Sequence, residues 1–174
     1  MLSISILLCA AVHGEPKAFH EYDVKAAFLL NLPEFVTWSE EASPSQQFNL
    51  CILEDNPFGV RLRNLEGQPV KGRPLQVKSM KQDDDLLGCS LIFISQRTSA
   101  RFSTITKSLP LSGALTVGES RAFVKAGGVI GLVVRENKVH LEVSIRAAEK
   151  AGLSVAGDLL ELATVVEASG EVSR

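Results

Sequence analysis

The sequence has no basic patch: 18 Lys and Arg stand against 20 Asp and Glu for a net charge of -2, and the longest run of one sign is Asp83-Asp84-Asp85. A nucleic-acid partner is excluded on that ground, because neutralising a phosphate backbone needs clustered cations. Metal chemistry lacks its ligands as well. The three histidines, His13, His20 and His140, show no ligand spacing, and no Cys-x-x-Cys occurs. There is no Gly-x-Ser-x-Gly elbow, no P-loop and no Gly-x-Gly-x-x-Gly fingerprint, so hydrolase and nucleotide-binding readings lose their usual support. Gly127-Gly128 precedes a strand pattern rather than a helix and reads as a helix stop. Internal repeats and low-complexity segments are missing too. These absences predict a protein that is not an enzyme and that carries no cofactor and no metal.

No apolar run is long enough to span a bilayer, which takes about 20 helical residues. The run from Met1 to Val12 is shorter and is followed by a Gly14-Glu15-Pro16-Lys17 break. It fits a cleaved secretory signal over residues 1–14, with Val12 and Gly14 at the small-residue cleavage positions, although no Lys or Arg precedes it. The competing reading is an N-terminal element of the fold. Cys9 follows Leu8 and so lacks the small neighbour of a lipid-attachment cysteine. Residues 15–174 then form the mature, exported domain. It keeps Cys51 and Cys89, an even pair in an oxidising compartment, for which a disulfide is the expectation and two buried free thiols the alternative.

With 45% hydrophobic residues in 174, the chain suits one compact domain. Val24, Ala27, Phe28, Leu32 and Phe35 recur at helical spacing between Glu21 and Trp38, with Ala26, Leu29 and Leu30 as a second stripe; Pro33 should kink or end this helix near Leu32. Ser39–Gln47 reads as a loop. Six strands are expected: Phe48–Leu53, Leu75–Val77, Ser90–Ile94, Ala114–Val117, Val129–Val134 and Val139–Val143. Several are continuous apolar runs without alternation, as in strands covered on both faces. Pro57–Leu65, Thr98–Leu109 and Arg121–Ala126 are long enough to be crossover helices. Arg135-Glu136-Asn137-Lys138 joins the last two strands as a hairpin at one edge, with His140 an exposed residue on it. Ser144 caps a helix over Ile145–Lys150 that Gly152 stops, Asp158–Val166 forms a last helix, and Ala168–Arg174 a frayed tail. The fold class is α/β: a three-layer α/β/α sandwich with a mostly parallel sheet of about six strands and an antiparallel edge hairpin.

In such a sheet, ligands gather at the carboxyl ends of the strands. Three loops meet that condition: Glu54 to Gly59, Ser95 to Arg97, and Gly118 to Ser120. Asp55, Asn56, Ser95, Glu119 and Ser120 form a candidate rim for a small polar ligand, beside the plainer reading of the same residues as turn and helix-cap choices.

Glu21-Tyr22-Asp23-Val24-Lys25-Ala26-Ala27-Phe28-Leu29-Leu30-Asn31 with Phe35-Val36-Thr37-Trp38 resembles the opening helix of the YfiR family of periplasmic proteins. Further similar segments follow in order: Cys51-Ile52-Leu53, Asp55-Asn56-Pro57-Phe58-Gly59, Gly72-Arg73-Pro74-Leu75, Gly88-Cys89, Leu91-Ile92-Phe93-Ile94-Ser95, Leu115-Thr116-Val117-Gly118-Glu119-Ser120, Gly127 to Leu132, and Ala147-Ala148 with Ala151-Gly152-Leu153. The resemblance runs from about Glu21 to Ala163. It implies a periplasmic repressor that binds the periplasmic domain of an inner-membrane diguanylate cyclase, lowers cyclic di-GMP and restrains biofilm formation. It further implies sequestration by an OmpA-like outer-membrane lipoprotein, a homodimer, and a redox-sensitive staple at Cys51 and Cys89. Leu32, Pro33, Glu34 and Ser39 depart from the family's aromatic, small, basic and proline residues, and Glu54 stands where a glycine is common. A changed opening helix points to a changed partner. The alternative function is a periplasmic sensor module that binds a small ligand at the rim.

Overall fold

The computed structural model describes residues 20–39, 46–99, 101–102 and 113–167. The expected signal segment with Cys9, the residue 168–174 tail and most of the Thr98–Leu109 helix lie outside the described residues.

The strands, in chain order, are β1 (Val36–Trp38), β2 (Phe48–Leu53), β3 (Pro69–Val70), β4 (Arg73–Met80), β5 (Leu91–Ile94), β6 (Leu115–Gly118), β7 (Ile130–Arg135), β8 (Lys138–Val143), β9 (Leu153–Val155) and β10 (Thr164–Val165). The helices are α1 (Glu21–Asn31), α2 (Val60–Arg63), α3 (Gln96–Ser99), α4 (Arg121–Lys125), α5 (Ile145–Lys150) and α6 (Gly157–Leu162). Eight strands form one sheet in the order β10-β8-β7-β6-β5-β2-β4-β3, while β1 and β9 pair separately. From β4 across β2, β5 and β6 to β7 every neighbour is parallel. The three innermost strands, β2, β5 and β6, are buried at every residue, which is why their sequences show no alternation.

Alternate residues of these strands point into two cores, as the period of two requires. Phe48, Leu50, Ile52, Phe93, Leu115 and Val117 face one side, where Ala26 and Leu29 of α1, Ala147 and Ala148 of α5 and Leu159 of α6 cover them. Cys51, Leu53, Ile92 and Ile94 face the other, against Phe102 and the α4 residues Phe123 and Val124. The α/β/α layering expected from the sequence is therefore present.

Several boundaries differ from expectation for physical reasons. The opening helix stops at Asn31, one residue before the end that Pro33 predicts near Leu32; Pro33, which has no N–H to donate, lies in a 3-10 turn over Leu32–Phe35, and the unexpected element is the short strand β1 that follows. Its buried residues are Lys25, Ala26 and Leu29, so the second expected stripe faces the core most fully, while Val24 and Phe28 of the first are half-buried and Ala27 is exposed. Within the expected Pro57–Leu65 crossover only one helical turn forms, after Gly59 at φ +58°. The last helix ends at Leu162, and Thr164–Val165 pair with β8 as a short parallel strand outside the hairpin. The hairpin itself turns on two residues, Glu136 and Asn137, both at positive φ, the backbone that a two-residue type I′ turn demands.

Helix α4 ends as the sequence indicates. Gly127 at φ +105° donates its N–H to Val124 O, and Gly128 N–H reaches Phe123 O at 3.0 Å, the paired bonds of a Schellman stop. Ser120 Oγ accepts from Phe123 N–H at the other end of α4, and Ser144 Oγ does the same for Ala147 N–H in α5.

Candidate functional site

Strands β2, β5 and β6 end in register, with Leu53 beside Ile94 and Ile94 beside Gly118. The loops that follow them therefore leave the sheet side by side, and the five rim residues read from the sequence lie along this one edge. Their roles differ. Asn56 Oδ1 accepts from Phe58 N–H at 3.0 Å and closes a local turn. Ser95 is buried; its Oγ accepts from Thr98 N–H and its hydroxyl donates to Thr98 Oγ1, both at 3.3 Å. Ser120 caps α4, and Asp55 is half-buried. Glu119 is different, because its carboxylate is almost fully buried and a buried charge needs a partner.

That partner comes from α1. Lys25 Nζ, 2% exposed, donates to Glu119 Oε1 at 2.5 Å and also to Glu21 one turn earlier. The second oxygen, Glu119 Oε2, accepts the backbone N–H of Gln96 at 2.7 Å. Tyr22 closes the cluster. Its ring centroid lies 5.0 Å from Lys25 Nζ, and its hydroxyl hydrogen-bonds Glu119. Burial, then the Glu119 and Glu21 carboxylates, the hydrogen bond to Glu119 and Asp55 push the Tyr22 phenol up to about 12, since each disfavours a phenolate. The same ring meets Phe58 edge-on at 5.4 Å, and Phe58 meets Phe93 at 4.7 Å, so an aromatic ladder runs from the rim into the core.

Glu21, Tyr22 and Lys25 do not belong to the rim read from the sequence. One signal pointed to Lys25: it is a cation between Val24 and Ala26 on a helix otherwise apolar on two stripes. Glu119 is separated from it by 94 residues, so nothing local could pair them. Chemically, the arrangement fixes charge. Both oxygens of Glu119 already accept hydrogen bonds, and the ammonium lies between two carboxylates.

At the rim's margin Glu54 adopts φ +60° and pairs with Arg101 at 2.5 Å. Glycine, common here in the resembling family, takes that backbone without the Cβ penalty. A second buried carboxylate, Glu142 on β8, is fully enclosed and held by Arg121 Nε at 3.2 Å and by Arg135. His140 is exposed.

On the other face of the sheet Cys51 and Cys89, 38 positions apart in sequence, form a disulfide with Cα atoms 5.9 Å apart. Cys51 lies on β2 and Cys89 on the turn that enters β5. The turn is held further by Asn49 Nδ2 donating to Gly88 O at 2.7 Å. Among the described residues no helix is long and apolar enough to cross a membrane, and no cluster of His, Cys, Asp or Glu is arranged to hold a metal.

A disulfide-stapled α/β domain, with its carboxyl-end crevice filled by its own first helix, defines the class of protein. The chain belongs to the YfiR/HmsC-like family, whose model matches residues 22–164. This is a family of periplasmic regulatory proteins that act with a membrane-associated partner. The fold is also similar to the crystal structure of a conserved domain protein from Vibrio cholerae O1 biovar El Tor strain N16961, at 13% identity and a TM-score of 0.53 over 83% of this chain. The chain spans 59% of that protein's length, and at this identity the likeness concerns the fold alone.

Proposed function

We propose that this protein is a periplasmic regulator that represses a membrane-bound diguanylate cyclase, or a similar sensor, by binding its periplasmic domain. The observation that carries the reading is the family match across residues 22–164, nearly the whole described fold. Two structural features agree with it. The disulfide suits an oxidising compartment, and the polar groups at the carboxyl-end crevice are bonded to one another through Lys25 and Glu119. Action by contact asks for a rigid surface, which such pairing provides. A homodimer and sequestration by an OmpA-like outer-membrane lipoprotein belong to the same proposal.

The small-ligand alternative places its ligand where Lys25 and Tyr22 lie, so the contact reading is preferred. Affinity purification of the tagged protein from detergent-solubilised membranes tests it, together with cellular cyclic di-GMP after deletion of the gene. Recovery of a cyclase and a rise in cyclic di-GMP are expected. Unchanged cyclic di-GMP with no membrane protein recovered would refute the proposal.

A further inference from the structure

A carboxylate and an aromatic face are what proteins use to recognise an ammonium group. Around Lys25 Nζ those elements are Glu119, Glu21 and the Tyr22 ring, so the ammonium ligand of this crevice is the chain's own. Glu119 does more than receive it. Its Oε1 holds Lys25 of α1, its Oε2 holds the N–H of Gln96 at the start of α3, and its backbone is the first residue after β6. One carboxylate thus joins three segments that are far apart in sequence.

We propose that Lys25 is a latch: an internal ammonium ligand whose seating on Glu119 holds the loops after β5 and β6 in order, so that these loops loosen when the opening turn of α1, Glu21 to Lys25, leaves the crevice. Withdrawing the ammonium leaves a buried carboxylate with neutral donors alone, the Gln96 N–H and the Tyr22 hydroxyl, and Tyr22 leaves with the same stretch of α1. Such a group turns toward water and takes the Gln96 acceptor with it. The motion is confined to that opening stretch, because Ala26 and Leu29, with Leu32 just beyond the helix, anchor the rest of α1 in the core. The other ionic tie of that turn, Asp23 to Arg61, is exposed at both ends and weak by comparison. Lys25 is a positioning residue in this account. Nothing in the account depends on which protein is bound, so its failure and that of the functional reading are separable.

The test is amide hydrogen exchange on the full chain carrying Lys25→Met. The Gln96 amide and segments 95–99 and 119–123 should exchange at least about tenfold faster, while the remote β7–β8 hairpin keeps its wild-type rate. In Lys25→Ala, added ethylammonium should restore slow exchange at Gln96, and sodium chloride at the same ionic strength should not. An unchanged Gln96 rate overturns the latch, and so does an equal acceleration everywhere, which would make Lys25 a contributor to overall stability only. If neither variant folds, wild-type exchange at increasing sub-denaturing urea decides. The first turn of α1 and Gln96 should open together before the hairpin, and separate openings would overturn the proposal.

Discussion

Cys51 and Cys89 bind the strand β2 to the turn entering β5, with their Cα atoms 5.9 Å apart. The bond closes a loop of 38 residues, which by chain entropy stabilises the fold by about 4 kcal/mol. In a domain of this size, each kcal/mol moves Tm by roughly 2–4 °C, so full reduction should lower Tm by about 10 °C. Calorimetry with and without reductant, with free thiols counted, checks this. Equal melting of the two forms would show that the bond contributes nothing. Both cysteines are buried, so reduction of the native protein should be slow and should accelerate in mild denaturant.

Tyr22 is the only tyrosine in the sequence, so tyrosinate absorbance reports on the crevice alone. Its phenol is pushed up to about 12 from an ordinary 10.0, first by burial and then by Glu119 and Glu21. A raised acid favours the protonated folded form. The stability it contributes is complete below pH 10 and is lost as pH rises toward 12. A spectrophotometric titration should therefore place the midpoint well above that of the urea-unfolded chain. In Glu119→Gln the midpoint should fall, because one negative charge is gone. A native midpoint equal to the unfolded one would mean that Tyr22 does not sit among these carboxylates.

The central strands β2, β5 and β6 were legible because strands covered on both faces must be apolar throughout, and Leu91-Ile92-Phe93-Ile94 states that plainly. Strands β3 and β10 have two residues each, too few for any period to show, and β1 and β9 are three-residue pieces whose pairing joins residues more than a hundred positions apart. The carboxyl-end rim was legible from the parallel order alone. Its occupant was not. Lys25 sits at a core position because Glu119 neutralises it across 94 residues, and a hydrophobicity pattern scores any lysine as solvent-facing.

Gly128 and Gly118 both abut the ring of Phe123, and a Cβ on either would lie well inside van der Waals distance of that ring. Neither is at positive φ, so the requirement is space and not backbone freedom. Gly128→Ala should cost roughly 1–3 kcal/mol by overpacking. In a Phe123→Leu background the Gly128→Ala substitution should cost less, because the smaller side chain gives way. Urea unfolding of the four proteins in this cycle measures the coupling. Equal costs in both backgrounds would show that the ring is not what excludes the methyl group.

Glu142 is fully enclosed, whereas its partners Arg121 and Arg135 are each about half exposed. Losing one arginine leaves the other to hold the carboxylate, and the exposed end of each pair is screened by water. Arg121→Ala and Arg135→Ala should therefore each cost only about 1 kcal/mol. Losing both strands an unpaired charge beneath the sheet, where the penalty is about 3–5 kcal/mol. The double variant should thus fall below the sum of the singles. Adding Glu142→Leu to the double variant should recover most of the loss, since an apolar side chain needs no partner in that position. Strict additivity in urea unfolding would show that the two arginines act independently, and that water already reaches Glu142.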